Sequence, residues 1–270
     1  MKVLCPIDFS KTSVNACKWI ATYLKQIPES EVHLLHCVNV RSRATIFLKL
    51  DDILIQRAEA DIINLEKELI KVNKDLEIDS TVVVFDPKSY IPSFAEAHNF
   101  DLIVTGTKGL TALKDITVGS VTESVINKAK LPVLTIPNMD RYGKIEKIVL
   151  GVDDNPIEDE KALDSLINMC KITDAKLIMV HVRQKGDNYI EYDPGYDIYF
   201  KELNYGYKAL EKDESVVETL TEYCDNENAD VLCMIHKKKN WFKRLVHRSM
   251  TKEELFELET PLLVLPGGKS

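Results

Sequence analysis

In the stretch GTKGLTALKDITVGSVTESVI, residues 106–126, glycines stand at 106, 109 and 119, and Ser120 opens a helix-like run. The chain holds only 10 glycines in 270 residues, so three here ask for a backbone reason such as a positive φ or close approach to a ligand. Glycines between a strand and a helix let backbone N–H groups reach phosphate oxygens. The helix N-terminus adds unpaired donors and the positive end of its dipole. The chemistry offered is polyphosphate binding. The same residues fit a second arrangement, in which Ser120 and Glu123 form a capping box and the hydroxyl serves the helix alone. Asp8 follows the first apolar run, which ends at Pro6 and Ile7. A carboxylate at a strand's carboxyl end can accept ribose hydroxyls or a base donor, or it can cap its own loop.

The elements that must position these residues follow from periodicity. Val3 to Ile7 reads as a strand, and Ser10 as the cap of a helix with apolar residues at Val14, Cys17, Ile20, Ala21 and Leu24. The pattern then predicts a strand over 33–40, a long amphipathic helix within 44–73, a strand over 80–85 and a helix near 89–99. The strand DLIVTG comes next, then the glycine segment, a helix from Ser120 to Lys130 and a closing strand LPVLTIP. Strands alternating with helices imply right-handed crossovers and a parallel sheet covered on both faces. Such sheets take ligands beyond the carboxyl ends of their strands.

This plan occurs twice. Residues 101–137 align without a gap to 230–266 at a constant offset of 129, with 8 of 37 positions identical, and KVLCPIDFS resembles KIVLGVDDN, setting Asp8 opposite Asp153. The expected fold is α/β: two tandem five-stranded, mainly parallel open α/β sandwich domains, over 1–140 and 145–270. The second copy is shorter in its middle, where GDNYIEYDPGYDIYFKELNYGY (186–207) predicts a loop and a replacement strand.

Composition narrows the partners. With 45% hydrophobic and 29% charged residues the chain has the usage of a globular protein, and a net charge of -8 disfavours nucleic acid or anionic membrane as the main partner. The six cysteines, at 5, 17, 37, 170, 224 and 233, form no CxxC pair and read as free thiols. The opening MKVLCPIDFS lacks a signal-peptide core, and no run of about 18 apolar residues occurs. The expectation is a cytoplasmic protein. None of the local signatures of hydrolases, zinc peptidases or P-loop enzymes is visible. The histidines at 33, 36, 98, 181, 236 and 247 do not cluster as metal ligands, and His36 and His181 read as satisfied histidines of corresponding strands.

Gly106-x2-Gly109-x9-Gly119-Ser120, preceded by Asp8, resembles the ATP-binding branch of the universal stress protein family, and the likeness covers both halves of the chain. The resemblance implies an adenine nucleotide (ATP, or AMP or ADP), with Mg2+, in the first domain. Pro6, Ile7 and Asp8 would lie around the adenosine and Val38 beside the base. Thr105, Gly106, Gly109, Gly119, Ser120 and Val121 would line the ribose and phosphates. It implies a nucleotide-dependent stress-response or signalling module acting on an unidentified protein partner. The alternatives are a slow ATPase or self-phosphorylating protein, with Ser120 or Thr122 as acceptor, and a nucleotide-independent adaptor. It also implies that the closing strands LPVLTIP and PLLVLP pair as an intramolecular pseudo-dimer, with further homodimerisation open.

The second copy departs from the motif. Ile235, Lys238 and Arg248 replace the glycines, while Ser249 and Thr251 match Ser120 and Thr122. Lys237, Lys238, Lys239, Lys243, Arg244 and Arg248 form a basic island, readable as a solvated loop, a docking surface or a side-chain anion site. Replacing Gly119 with arginine should therefore abolish ATP binding by blocking backbone approach and disfavouring a glycine-only conformation. Arg248→Gly should restore nothing, because Ile235 and Lys238 still obstruct the second loop. Calorimetry with ATP and magnesium on variants with native circular dichroism checks both; undiminished binding by Gly119→Arg would refute the assignment.

Overall fold

The computed structural model describes residues 1–38, 48–107, 119–139, 142, 144–153, 160–184, 197–212, 216–236 and 259–267. The chain divides into two compact units, Met1–Gly143 and Lys144–Ser270. Gly109 and the basic island at 237–248 lie outside the described residues.

In the first unit β1 (Lys2–Pro6), α1 (Lys11–Tyr23), β2 (Glu31–Cys37), α2 (Leu48–Val72), β3 (Glu77–Val83), α3 (Pro87–Ala97), β4 (Leu102–Gly106), α4 (Ser120–Lys128) and β5 (Val133–Ile136) follow in order. The strands lie β3-β2-β1-β4-β5, every ladder parallel. Because β1 and β4 are neighbours, the chain reverses its direction of winding between them, which makes their carboxyl ends the switch point where sheets of this kind place their crevice. The central strands are continuous apolar runs: Val3, Leu4 and Cys5 of β1 and Leu102, Ile103 and Val104 of β4 are at most 1% exposed. That is the pattern of a sheet covered on both faces.

The second unit contains β6 (Lys147–Val152), α5 (Asp164–Thr173), β7 (Lys176–Gln184), α6 (Asp197–Phe200), β8 (Tyr205–Lys212), α7 (Val216–Glu227), β9 (Val231–His236) and β10 (Leu262–Pro266). Its strands lie β8-β7-β6-β9-β10, again all parallel. The two units use one device at the amino ends of their strands. Asn99 and Asn228 take φ of 54° and 51°, a left-handed turn that asparagine tolerates. Two residues on, Asp101 accepts the Lys2 amide at 2.7 Å, and Asp230 accepts those of Glu146 and Lys147 at 2.7 and 3.0 Å.

Some boundaries differ from expectation. β3 runs from 77 to 83 rather than 80 to 85, because its polar start, Glu77 to Ser80, pairs with Glu31 to Leu34 as an edge strand, and the chain turns at Asp86-Pro87 into α3. α4 ends at Lys128, short of Lys130. In the second unit's middle, the short helix α6 is anchored by Phe200, which is fully buried, before the strand β8. Pro92 lies inside α3 and has no N–H for the Lys88 carbonyl. That oxygen accepts instead from Ser124 Oγ and Lys128 Nζ of α4, each at 3.1 Å.

Thr105 of β4 and Thr135 of β5 are register partners, 4% and 0% exposed, and neither hydroxyl finds a hydrogen-bond partner among the described residues. The second copy has Met234 and Val264 at these positions. Thr135→Val keeps the shape and removes an unsatisfied buried group, so it should raise the unfolding free energy by about 1 kcal/mol. Urea denaturation checks this; an equal or lower stability would show that the hydroxyl is satisfied.

Candidate functional site

β1 delivers Asp8 into a tight turn. Phe9 takes φ of 60°, rare for a bulky side chain, and reverses the chain so that the Ser10 amide donates to Asp8 Oδ1 at 3.0 Å. Ser10 then caps α1 as expected, its hydroxyl accepting the Ser13 amide at 3.2 Å. The Ser10 hydroxyl also lies 3.2 Å from both Thr12 Oγ1 and Ser13 Oγ. The first turn of α1 is thus a cluster of hydroxyls beside a carboxylate.

Gly106 explains why α1 starts there. A Cβ at this position would stand 2.7 and 2.8 Å from the carbonyl carbon and oxygen of Thr12 and 2.9 Å from the Ser13 nitrogen. The glycine is required by close approach of the α1 backbone, with no positive φ involved. From the other side, Thr122 Oγ1 of α4 donates to the Gly106 carbonyl at 2.9 Å. The N-terminal turns of α1 and α4 therefore meet at the carboxyl end of β4, and their dipoles present positive potential to one place.

Gly119 is the N-cap of α4, with φ of -67° and ψ of 147°, so it does not need a glycine-only conformation. Its N–H is donated to the Thr107 carbonyl at 2.6 Å and its carbonyl accepts the Glu123 amide at 3.0 Å. Ser120 is the first helical residue, not the cap, and no side-chain cap bond is made, so the capping box does not form. The Ser120 hydroxyl is exposed, and the Ser120 and Val121 amides stand at helix positions that have no intrahelical acceptor.

The remaining expected residues take different places. Pro6 ends β1; Ile7, 4% exposed, donates its amide to Leu35 at 2.9 Å. Val38 is buried just past β2, and its N–H is committed to the Val83 carbonyl at 2.7 Å. By strand alternation the Thr105 side chain lies on the face opposite Gly106, inside the core, so its hydroxyl is not presented at the crevice. Thr12 and Phe9 are the residues that sequence reasoning left out; Thr122 and His36, which it named, each donate to a backbone carbonyl, of Gly106 and Ile7. Burial, and then the Asp86 charge, push the thiol of Cys37, close to Val38, up to about 11, which disfavours the thiolate. Among the described residues no group of three or more His, Cys, Asp or Glu gathers to hold a metal ion.

A profile of the universal stress protein family matches residues 1–137 and again 144–266. The chain belongs to the universal stress protein family. A universal stress protein of Methanocaldococcus jannaschii is 33% identical over 154 residues, 50% of this chain and 93% of its own length. The crystal structure of a universal stress protein from Archaeoglobus fulgidus covers 99% of this chain and 97% of its own with a TM-score of 0.78 at 18% identity, a likeness of fold. A universal stress protein solved in complex with cAMP is 20% identical over 52% of this chain and 98% of its own, with a TM-score of 0.38.

Within this tandem universal stress protein the second unit builds its corresponding corner differently. Ile235 of β9 stands where the first unit has Gly106. A side chain there is incompatible with the backbone approach that Thr12 makes. Residues Glu160–Leu163, which match positions 15–18 of α1, form a 3-10 turn rather than α-helix. Among the described residues of both units, no helix is long and apolar enough to cross a membrane. Gly106→Ala should destabilise the first unit by about 1–3 kcal/mol, because the clash is with backbone that cannot rotate away. Gly151→Ala in the second unit meets only the Leu220 side chain at 2.9 Å and should cost less. Denaturant midpoints of the two variants check the order.

Proposed function

We propose that the N-terminal unit binds ATP at the carboxyl ends of β1 and β4, that the C-terminal unit has lost this site, and that nucleotide occupancy in the first unit governs what the protein offers to a partner. The observation that carries the reading is the junction at Gly106, where the first turns of α1 and α4 converge beside Asp8. Two helix N-termini suit the triphosphate, and a carboxylate at the end of β1 suits the ribose hydroxyls. Ser120 and Val121 would donate amides to phosphate, with Gly119 leaving room for it. Ile7, Pro6 and Val38 would supply apolar wall to the adenosine. Magnesium would ride on the triphosphate, since no protein carboxylate cluster is needed to neutralise it there. Ile235 in the second unit supports single occupancy, because its side chain rules out the backbone junction on which the first site rests.

A second reading is favoured by one feature, the exposed Ser120 hydroxyl with no capping role. It stands at the start of α4, where a phosphoryl acceptor would be held against the triphosphate, so slow self-phosphorylation is compatible with the same site. We propose a cytoplasmic, reducing setting, supported by the free cysteines, of which five are buried as thiols.

Purified protein titrated with ATP and magnesium should take up one equivalent per chain, measured by calorimetry. Asp8→Asn should bind at least about 10-fold more weakly, the loss of one charge-assisted hydrogen bond. Zero or two equivalents in the wild type would overturn the reading. Intact mass after incubation with ATP separates the alternatives, since a gain of one phosphoryl group abolished by Ser120→Ala marks self-phosphorylation.

A further inference from the structure

His36 projects from β2 at the point where the β1–β2 register ends with Pro6 opposite Leu35. Its Nδ1 lies 2.7 Å from the Ile7 carbonyl, and its ring centroid lies 4.9 Å from that of Phe9. A carbonyl oxygen only accepts, so Nδ1 carries the hydrogen and the tautomer is fixed by the contact. The residues touched on either side, Ile7 and Phe9, flank Asp8. Phe9 sits in the left-handed region at φ of 60°, a conformation that is strained for a phenylalanine and persists only where surrounding contacts over-determine it. On the far side the turn is held by the Ser10 amide on Asp8 Oδ1. On the near side it is held by the imidazole, which reaches it from another strand.

We infer that His36 is a positioning residue: it clamps the Ile7-Asp8-Phe9 turn and so sets the direction in which the Asp8 carboxylate faces the crevice. The repeat supports a role tied to the aspartate rather than to the phosphate loop. The second unit carries Asp153 and His181 at the equivalent positions, and Val152, which matches Ile7, is the register partner of His181. Aspartate and histidine are thus kept together in the unit where the glycines are not. The clamp explains why a histidine serves on this strand: a ring donor at Nδ1 closes the turn, and the ring packs against the strained phenylalanine at a tilt of 42°.

The affinity consequence rests on the nucleotide reading above, but the clamp itself does not. Two variants separate donor position from polarity and size. In His36→Asn the amide nitrogen falls where Nδ1 was and keeps the bond to Ile7; in His36→Gln it falls where Nε2 was and loses it. In ligand-free protein, nitrogen-15 spectra should show His36 protonated at Nδ1. The Ser10 amide proton, shifted downfield by its carboxylate acceptor, should stay in place in His36→Asn and move upfield in His36→Gln. With ATP and magnesium, His36→Gln should bind about 10-fold more weakly, and His36→Asn within about twofold of wild type. The double variant Asp8→Asn/His36→Gln should bind no more weakly than Asp8→Asn alone, because one residue acts through the other. An unmoved Ser10 resonance in His36→Gln, equal behaviour of the two substitutions, or additive losses would overturn the inference. If wild-type protein takes up no nucleotide, the functional reading fails and the Ser10 and imidazole resonances alone decide the clamp.

Discussion

The first unit turns on a contact between two stretches of backbone. The Thr12 carbonyl and the Ser13 nitrogen approach Gly106 so closely that no side chain fits between them. That contact fixes where α1 begins relative to β4. Through the Thr122 hydroxyl on the Gly106 carbonyl it fixes where α4 begins as well. Two helices of 13 and 9 residues then direct the positive ends of their dipoles at one spot beyond the sheet. Their opening amides are inherently short of acceptors. A favourable helix-dipole field at that spot follows from packing alone, in a chain whose net charge is -8.

Around that junction the chain spends conformational freedom at one residue. Phe9 in the left-handed region lets β1 end and α1 start within four residues, Ile7 to Ser10, while one oxygen of the Asp8 carboxylate holds the turn together. Strain of this kind persists only where the surrounding structure over-determines it, and here the Ser10 amide and the His36 ring do so. The second unit, which has Ile235 in place of the glycine, keeps the strand order and the aspartate, and among its described residues a 3-10 turn, Glu160–Leu163, leads into α5.

Much of this was legible in the residues. The alternation of apolar runs placed nine elements of the first unit in order, the offset of 129 exposed the repeat, and Ser10 was readable as a cap. Of the glycines, Gly106 marks a backbone approach too close for a Cβ. That cause was hidden, because Thr12 and Gly106 are far apart in sequence and no local pattern encodes a tertiary approach. Ser120 misled for a related reason: serine is a good cap, but Gly119 takes the extended backbone that precedes the helix, and the hydroxyl falls one residue inside. The start of β3 was obscured by its polar residues, which an edge strand tolerates and a periodicity of buried positions does not register. His36 was visible as one of a repeated pair, and its hydrogen bond to Ile7 came only with the fold.

Pro92 gives α3 and α4 a shared degree of freedom. A proline inside a helix exports an acceptor, and here the Lys88 oxygen is claimed by Ser124 and Lys128, residues one turn apart on the neighbouring helix. Sliding α4 along its axis would break both bonds at once and strand a carbonyl that its own helix cannot satisfy. The two helices are therefore held in one axial register, with the acceptor that Pro92 releases in α3 answered by two donors on successive turns of α4.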